Sequence, residues 1–157
     1  MIRQIIPFRN KLMLISISTI YLWFGMLKFF PGVSPAETLA KETITLLTFG
    51  LIPASIAIIL LAIWEVAIGC LLILLPRKRI GFHLAMLHLV FTFTPLILLP
   101  ADSYQHYIFS LTLVGQYILK NIIILCALLF VYPSTSTKPI QRPRKADSRK
   151  VTYAETA

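Results

Sequence analysis

The run from Leu12 to Phe30 is apolar and long enough to cross a bilayer as a helix, yet it holds Lys28 near its end. A charge inside an apolar span is expensive unless something answers it, so the rest of the chain must supply a partner or let the lysine reach water. Behind the lysine stand Pro31-Gly32, which stop the helix, and Ser34-Pro35-Ala36-Glu37, which reads as a new helix start. Ser34 fits the N-cap, Pro35 the first helical position, and Glu37 completes a capping box.

Three more apolar runs follow, at Ile52 to Leu75, Ile80 to Leu99 and Leu113 to Tyr132. A hydrophobic share of 57%, a mean hydropathy of +0.81 and a charged share of 13% place the 157 residues among membrane proteins, with length for one domain. The first run is too long for the apolar part of a cleaved leader and is read as a retained span. Between spans one and two, Ser34 to Phe49 forms an amphipathic pattern. Ala36, Leu39, Ala40, Thr43, Leu46 and Leu47 share one face, and Glu37, Lys41, Glu42 and Thr45 lie on the other. Gly50 suits the C-cap of this helix, which should lie at the interface and cap the outer mouth of the bundle. The segment from Pro100 to Thr112 reads as a polar loop with Asp102 and His106. The expected fold is therefore all-α: an integral membrane four-helix bundle over residues 1–132, with a short interfacial helix between spans one and two. Residues 133–157 are rich in Ser, Thr, Pro and basic side chains and read as a disordered tail.

Lys and Arg outnumber Asp and Glu by 15 to 6, and the excess clusters at the N-terminus, at Pro76-Arg77-Lys78-Arg79 and in the tail. Four spans put all three clusters on one side, so the positive-inside rule places both termini in the cytoplasm. The tail then has anionic lipids as its natural contact, and nucleic acid is not expected as a partner.

Each span carries a polar group near mid-depth. From the cytoplasmic edge, Tyr21 falls at roughly 14 Å, Glu65 at roughly 15 Å, His88 at roughly 12 Å, Lys120 at roughly 18 Å and Asn121 at roughly 17 Å. Lys28, at roughly 24 Å, pairs in depth with Gln116 as a second tier toward the outside, close enough to the surface to snorkel. Glu65 is the single acid within the spans, and depth makes Lys120 and His88 its expected partners. Gly69, one turn from Glu65, and Gly25, beside Lys28, allow close helix approach. Two readings stay open: the polar groups lock the bundle together, or they form a ligand or proton site. Lys28, Glu65, His88, Gln116, Lys120, Asn121, Tyr21 and Trp64 make up the candidate layer. Cys70 and Cys126 read as small packing residues. With no C-x-x-C, nucleotide fingerprint, haem-ligand pair or metal site evident, an intrinsic redox centre is not expected.

Trp23-Phe24-Gly25-x-x-Lys28-Phe29, Ser34-Pro35-Ala36-Glu37, Trp64-Glu65-x-x-x-Gly69, His88 with Thr92-Phe93-Thr94-Pro95, and Gly115-Gln116-Tyr117-x-x-Lys120-Asn121 occur in this order. Together they resemble the DoxX-like family of small bacterial membrane proteins, over Leu12 to Tyr132. The resemblance implies a four-helix bundle in a bacterial inner membrane. Some relatives are subunits of quinone-linked oxidoreductases, so it also implies a quinone as ligand and a redox partner subunit. It supplies no catalytic residues. The alternative is a non-catalytic membrane scaffold or assembly factor; a proton-coupled transporter is a third reading, weakened by the absence of an inverted repeat.

Overall fold

The computed structural model describes residues 8–34, 36–105 and 110–132, so the tail, Arg3 and His106 lie outside the described residues. Helix α1 spans Phe8–Leu27, α2 Glu37–Leu47, α3 Ala54–Leu74, α4 Ile80–Phe93, α5 Pro95–Leu98, α6 Pro100–Ser103 and α7 Leu113–Val131. Four helical segments, with α4 and α5 forming the third, are long and apolar enough to cross a membrane. Their outward surface is apolar, with Trp23 66%, Ile123 72% and Ile97 82% exposed. Side chains of that kind are at home in lipid, and helices satisfy their own backbone polar groups there. The protein is an all-α, multi-pass membrane protein.

Several boundaries differ from the sequence expectation. Helix α1 already runs at Phe8, ahead of the expected start at Leu12, because polar residues such as Arg9 and Asn10 hold helical hydrogen bonds as well as apolar ones do. It ends at Leu27, three residues before Phe30, in tight turns from Lys28, Phe29 and Phe30 N–H to the carbonyls three residues back. The capping box forms in altered form. The Glu37 carboxylate accepts from the Gly32 N–H at 2.7 Å and from Lys41 Nζ, while Ser34 Oγ has no partner and the Ser34 carbonyl accepts the Glu37 N–H. Lys41 first, and then the Gly32 amide, hold the Glu37 carboxyl below its ordinary value. Glu37 is consequently buried, whereas Leu46 and Leu47, expected to face inward, are 48% and 38% exposed.

The far end of α2 forms a Schellman motif. Gly50 N–H reaches the Thr45 carbonyl and Phe49 N–H the Leu46 carbonyl. Phe49 rather than Gly50 takes the first left-handed position, at φ 52. The third span is also interrupted. Pro95 cannot donate to Phe91, and both the Thr94 amide and Thr94 Oγ1 fill the vacancy on that carbonyl, so the chain stays helical across the break. Part of the expected polar loop is ordered as α6 and as an isolated bridge between Tyr104 and Leu111.

Helix α3 lies between α1 and α4, and α7 closes the ring by touching α4 and α1. The α1–α3 contact is the closest. A Cβ on Gly25 would lie 3.0 Å from Glu65 Cβ, and one on Gly69 would lie 2.7 Å from Leu22 Cγ. The buried apolar core, including Leu14, Ile17, Ile68, Leu72, Ala85, Leu89 and Leu128, fills the end of the bundle where α1 starts and α7 finishes. Tyr132 closes this end by donating to the Pro76 carbonyl at 2.9 Å. At the α2 end, α7 is fastened by Thr112. Its hydroxyl accepts from Gly115 N–H and donates to the Asp102 carbonyl, and its amide donates to the Ser103 carbonyl.

Gly115 permits that fastening. A Cβ there would sit 2.2 Å from the Ser103 carbonyl oxygen, and neither backbone can yield without breaking the Thr112 bonds. Gly115→Ala is expected to cost about 1–3 kcal/mol as an overpacked contact, read as a lowered unfolding midpoint in detergent. An unchanged midpoint would contradict this packing.

Candidate functional site

Glu65 sits one helical turn before Gly69 on the face of α3 that meets α1, so the close approach allowed by Gly25 brings its carboxylate into the bundle. It is 6% exposed. Its Oε2 accepts from Lys28 Nζ at 2.7 Å, and its Oε1 lies 3.0 Å from His88 Nε2. Lys28 Nζ also reaches the Phe24 carbonyl at 3.4 Å. A carboxylate can only accept, so Nε2 of His88 carries a hydrogen in this arrangement. The opposite nitrogen, Nδ1, lies 3.4 Å from both Tyr21 Oη and Thr92 Oγ1. Thr92 commits its hydroxyl hydrogen to the His88 carbonyl at 2.9 Å, so with the imidazole neutral Tyr21 is the donor to Nδ1. Donor–acceptor counting thus orders a chain from Tyr21 through His88 and Glu65 to Lys28. Trp64 packs edge-on against the imidazole with centroids 5.8 Å apart and Tyr21 does so at 5.3 Å, which fixes the ring.

This cluster borders a cavity of about 740 Å³ that occupies the α2 end of the bundle. Apolar residues make up most of the wall. The α2 face of Ala36, Leu39, Ala40, Thr43, Ile44 and Leu47 covers it, Phe24, Leu60 and Phe91 line it, and Tyr117 and Asn121 reach it from α7. The expected cap is therefore present in position, although Leu46 lies off its inner face.

Six of the eight candidate residues meet at this cavity: Lys28, Glu65, His88, Tyr21, Trp64 and Asn121. Lys28 was expected in an outer tier with Gln116, or snorkelling; it is instead the direct partner of Glu65. Helix direction explains this. Side chains tilt toward the helix N-terminus, which for α1 means down toward mid-depth, and the long lysine stem covers the remaining offset. The same rule moves Lys120 the other way. On α7 the tilt carries it toward the α2 end, where its ammonium lies 4.9 Å from the centre of the Tyr117 ring. Phase takes it outward as well. Gly115, Ile118 and Leu128 are the buried side of α7, and Lys120, about 200° around the helix from Ile118, is exposed. Lys120 is therefore no partner of Glu65. Gln116 is exposed too and donates to the Leu111 carbonyl at 3.3 Å.

The sequence reading missed Thr92 as a partner of the histidine, although its position one turn after His88 was a usable signal. It also missed the Phe24 carbonyl, for which side-chain chemistry gives no signal. Compared with models of known families, with curated proteins and with solved structures, the chain matches none.

Removing one member of a buried ion pair leaves the other charge unanswered. Glu65→Gln is expected to destabilise the fold by about 3–5 kcal/mol, or somewhat less in a membrane setting, whereas Lys120→Met should stay within about 0.5 kcal/mol of the parent. Unfolding midpoints in one detergent decide the matter, and a larger loss for Lys120→Met would overturn the assignment.

Proposed function

We propose that the chain is a DoxX-like protein of the bacterial inner membrane, with both termini cytoplasmic, and that its cavity binds a quinone head group on behalf of a membrane oxidoreductase. The observation that carries this reading is a Lys28–Glu65–His88 cluster at the wall of an apolar cavity of about 740 Å³. A lock holding helices together needs no adjoining space. A ligand with an apolar body and a hydrogen-bonding head needs both.

A bound quinone supplies two-electron, two-proton redox chemistry, with electrons coming from the partner subunit. The chain's own residues bind, orient and handle protons. Lys28 has a third N–H beyond those directed at Glu65 and the Phe24 carbonyl, and that donor suits a ligand carbonyl oxygen. Glu65 keeps the ammonium aimed. His88, between Glu65 and Tyr21, offers a route for returning a proton to the cluster. Trp64 and Phe91 furnish aromatic walls for a flat ring.

Titration of the purified protein with a ubiquinone or menaquinone analogue tests the site. Saturable binding is expected. Loss of a charge-assisted contact in Lys28→Met or His88→Ala should weaken it by about tenfold to a hundredfold, with Lys120→Met binding as the parent does. Folded variants that all bind equally, or no saturable binding at all, would return the protein to the scaffold reading.

Sidedness follows from the basic turn at Arg77 to Arg79. A cysteine placed at the exposed Asp102 should react with an impermeant thiol reagent added outside intact cells, and one at Lys78 should not. The reverse pattern would invert the topology.

A further inference from the structure

The side of α7 that faces away from the bundle carries a charge that no acid among the described residues answers. Lys120 is exposed there, and among the described residues no carboxylate pairs with it. It lies roughly 10 Å beyond the start of the helix at Leu113, well inside a span. Its stem climbs toward the α2 end, and the ammonium rests over the Tyr117 ring. Gln116, on the same side, is also exposed, and its amide nitrogen is engaged while its carbonyl oxygen is left for another donor. Helix α7 is the least covered of the four spans, with 17% of its most apolar window buried against 28% to 39% in the others.

We propose that this face of α7 is an intramembrane docking surface for a transmembrane helix of a different protein, one that presents a carboxylate to Lys120. Charge selects the occupant. A second copy of the chain offers no free acid within a span: of the six acidic residues, Glu37 and Glu42 lie on α2, Asp102 lies in α6, and Asp147 and Glu155 follow the last span. The sixth, Glu65, is the one acid within a span, and it is enclosed between Lys28 and His88. Gln116 adds a hydrogen-bonding position one turn from the lysine, which fixes the register of the incoming helix. The docking face is separate from the cavity cluster, so the inference stands whatever ligand the cavity takes.

A model peptide provides the test. The full chain is reconstituted in phosphatidylcholine vesicles with a tryptophan-free Leu/Ala helix of membrane-spanning length that bears a dansyl group and one central Glu, Gln or Leu. Energy transfer from the protein's own Trp23 and Trp64 reports association. The Glu peptide should associate saturably and about tenfold more tightly than the Leu or Gln peptide. Lys120→Met should remove that preference, and Lys120→Glu should transfer it to a peptide with a central Lys. Position 120 is exposed, so both variants keep the bundle intact, and circular dichroism checks this. Equal transfer from all peptides, or a Glu preference that survives Lys120→Met, would overturn the proposal. So would loss of the preference when phosphatidylglycerol is added, because the lysine would then be serving lipid head groups.

Discussion

The contact between Lys28 and Glu65 organises the membrane-embedded part of this protein. Neither charge could stay in an apolar bundle alone, and their pairing requires α1 and α3 to approach within a glycine's width. Gly25 and Gly69 provide that approach on either side of the carboxylate. Once Glu65 is drawn inward by Lys28, its second oxygen faces α4, where His88 meets it. Three spans are thereby tied at one level by one carboxylate. The fourth is held differently, by Thr112 at one end and Tyr132 at the other, and is lightly packed between.

That difference in attachment produces the cavity. Below the ionic cluster, Ile68, Leu72, Leu89 and Leu128 close the interior. Above it, α7 stands off and α2 folds across the gap. A buried polar cluster with protein on one side and space on the other is suited to meeting a ligand's head while the apolar walls accommodate its body.

Much of this could be read from the chain. Four long apolar runs fixed the number of spans, and the glycines beside Lys28 and Glu65 located the tight helix pair. Depth counting found the polar layer but assigned both of its lysines wrongly, because it placed Cα atoms and ignored the direction in which side chains lean. Lys28 caps the end of α1 and Lys120 lies on the antiparallel α7, so the same lean moves one toward Glu65 and the other away. The phase of Gly115 and Ile118 would have exposed that error. Helix ends slipped for another reason: hydropathy reports which residues prefer lipid, whereas Arg9 and Asn10 extend α1 through backbone hydrogen bonds. Similarly, no local pattern announces that the Glu37 carboxylate prefers the Gly32 amide to the Ser34 one, since that choice depends on how the intervening turn folds.

The division between a filled end and a hollow end separates two kinds of sequence constraint. Trimming Leu72 or Leu128 opens a new void in a close-packed interior, and such voids are costly. Trimming Phe24, Leu60 or Phe91 enlarges a space that already exists, so little supporting contact is lost. The walls of the cavity can therefore drift in shape over evolutionary time while the opposite end keeps the molecule folded. Related chains with this architecture can acquire differently shaped chambers around a fixed ionic cluster, and selectivity becomes adjustable without renegotiating stability.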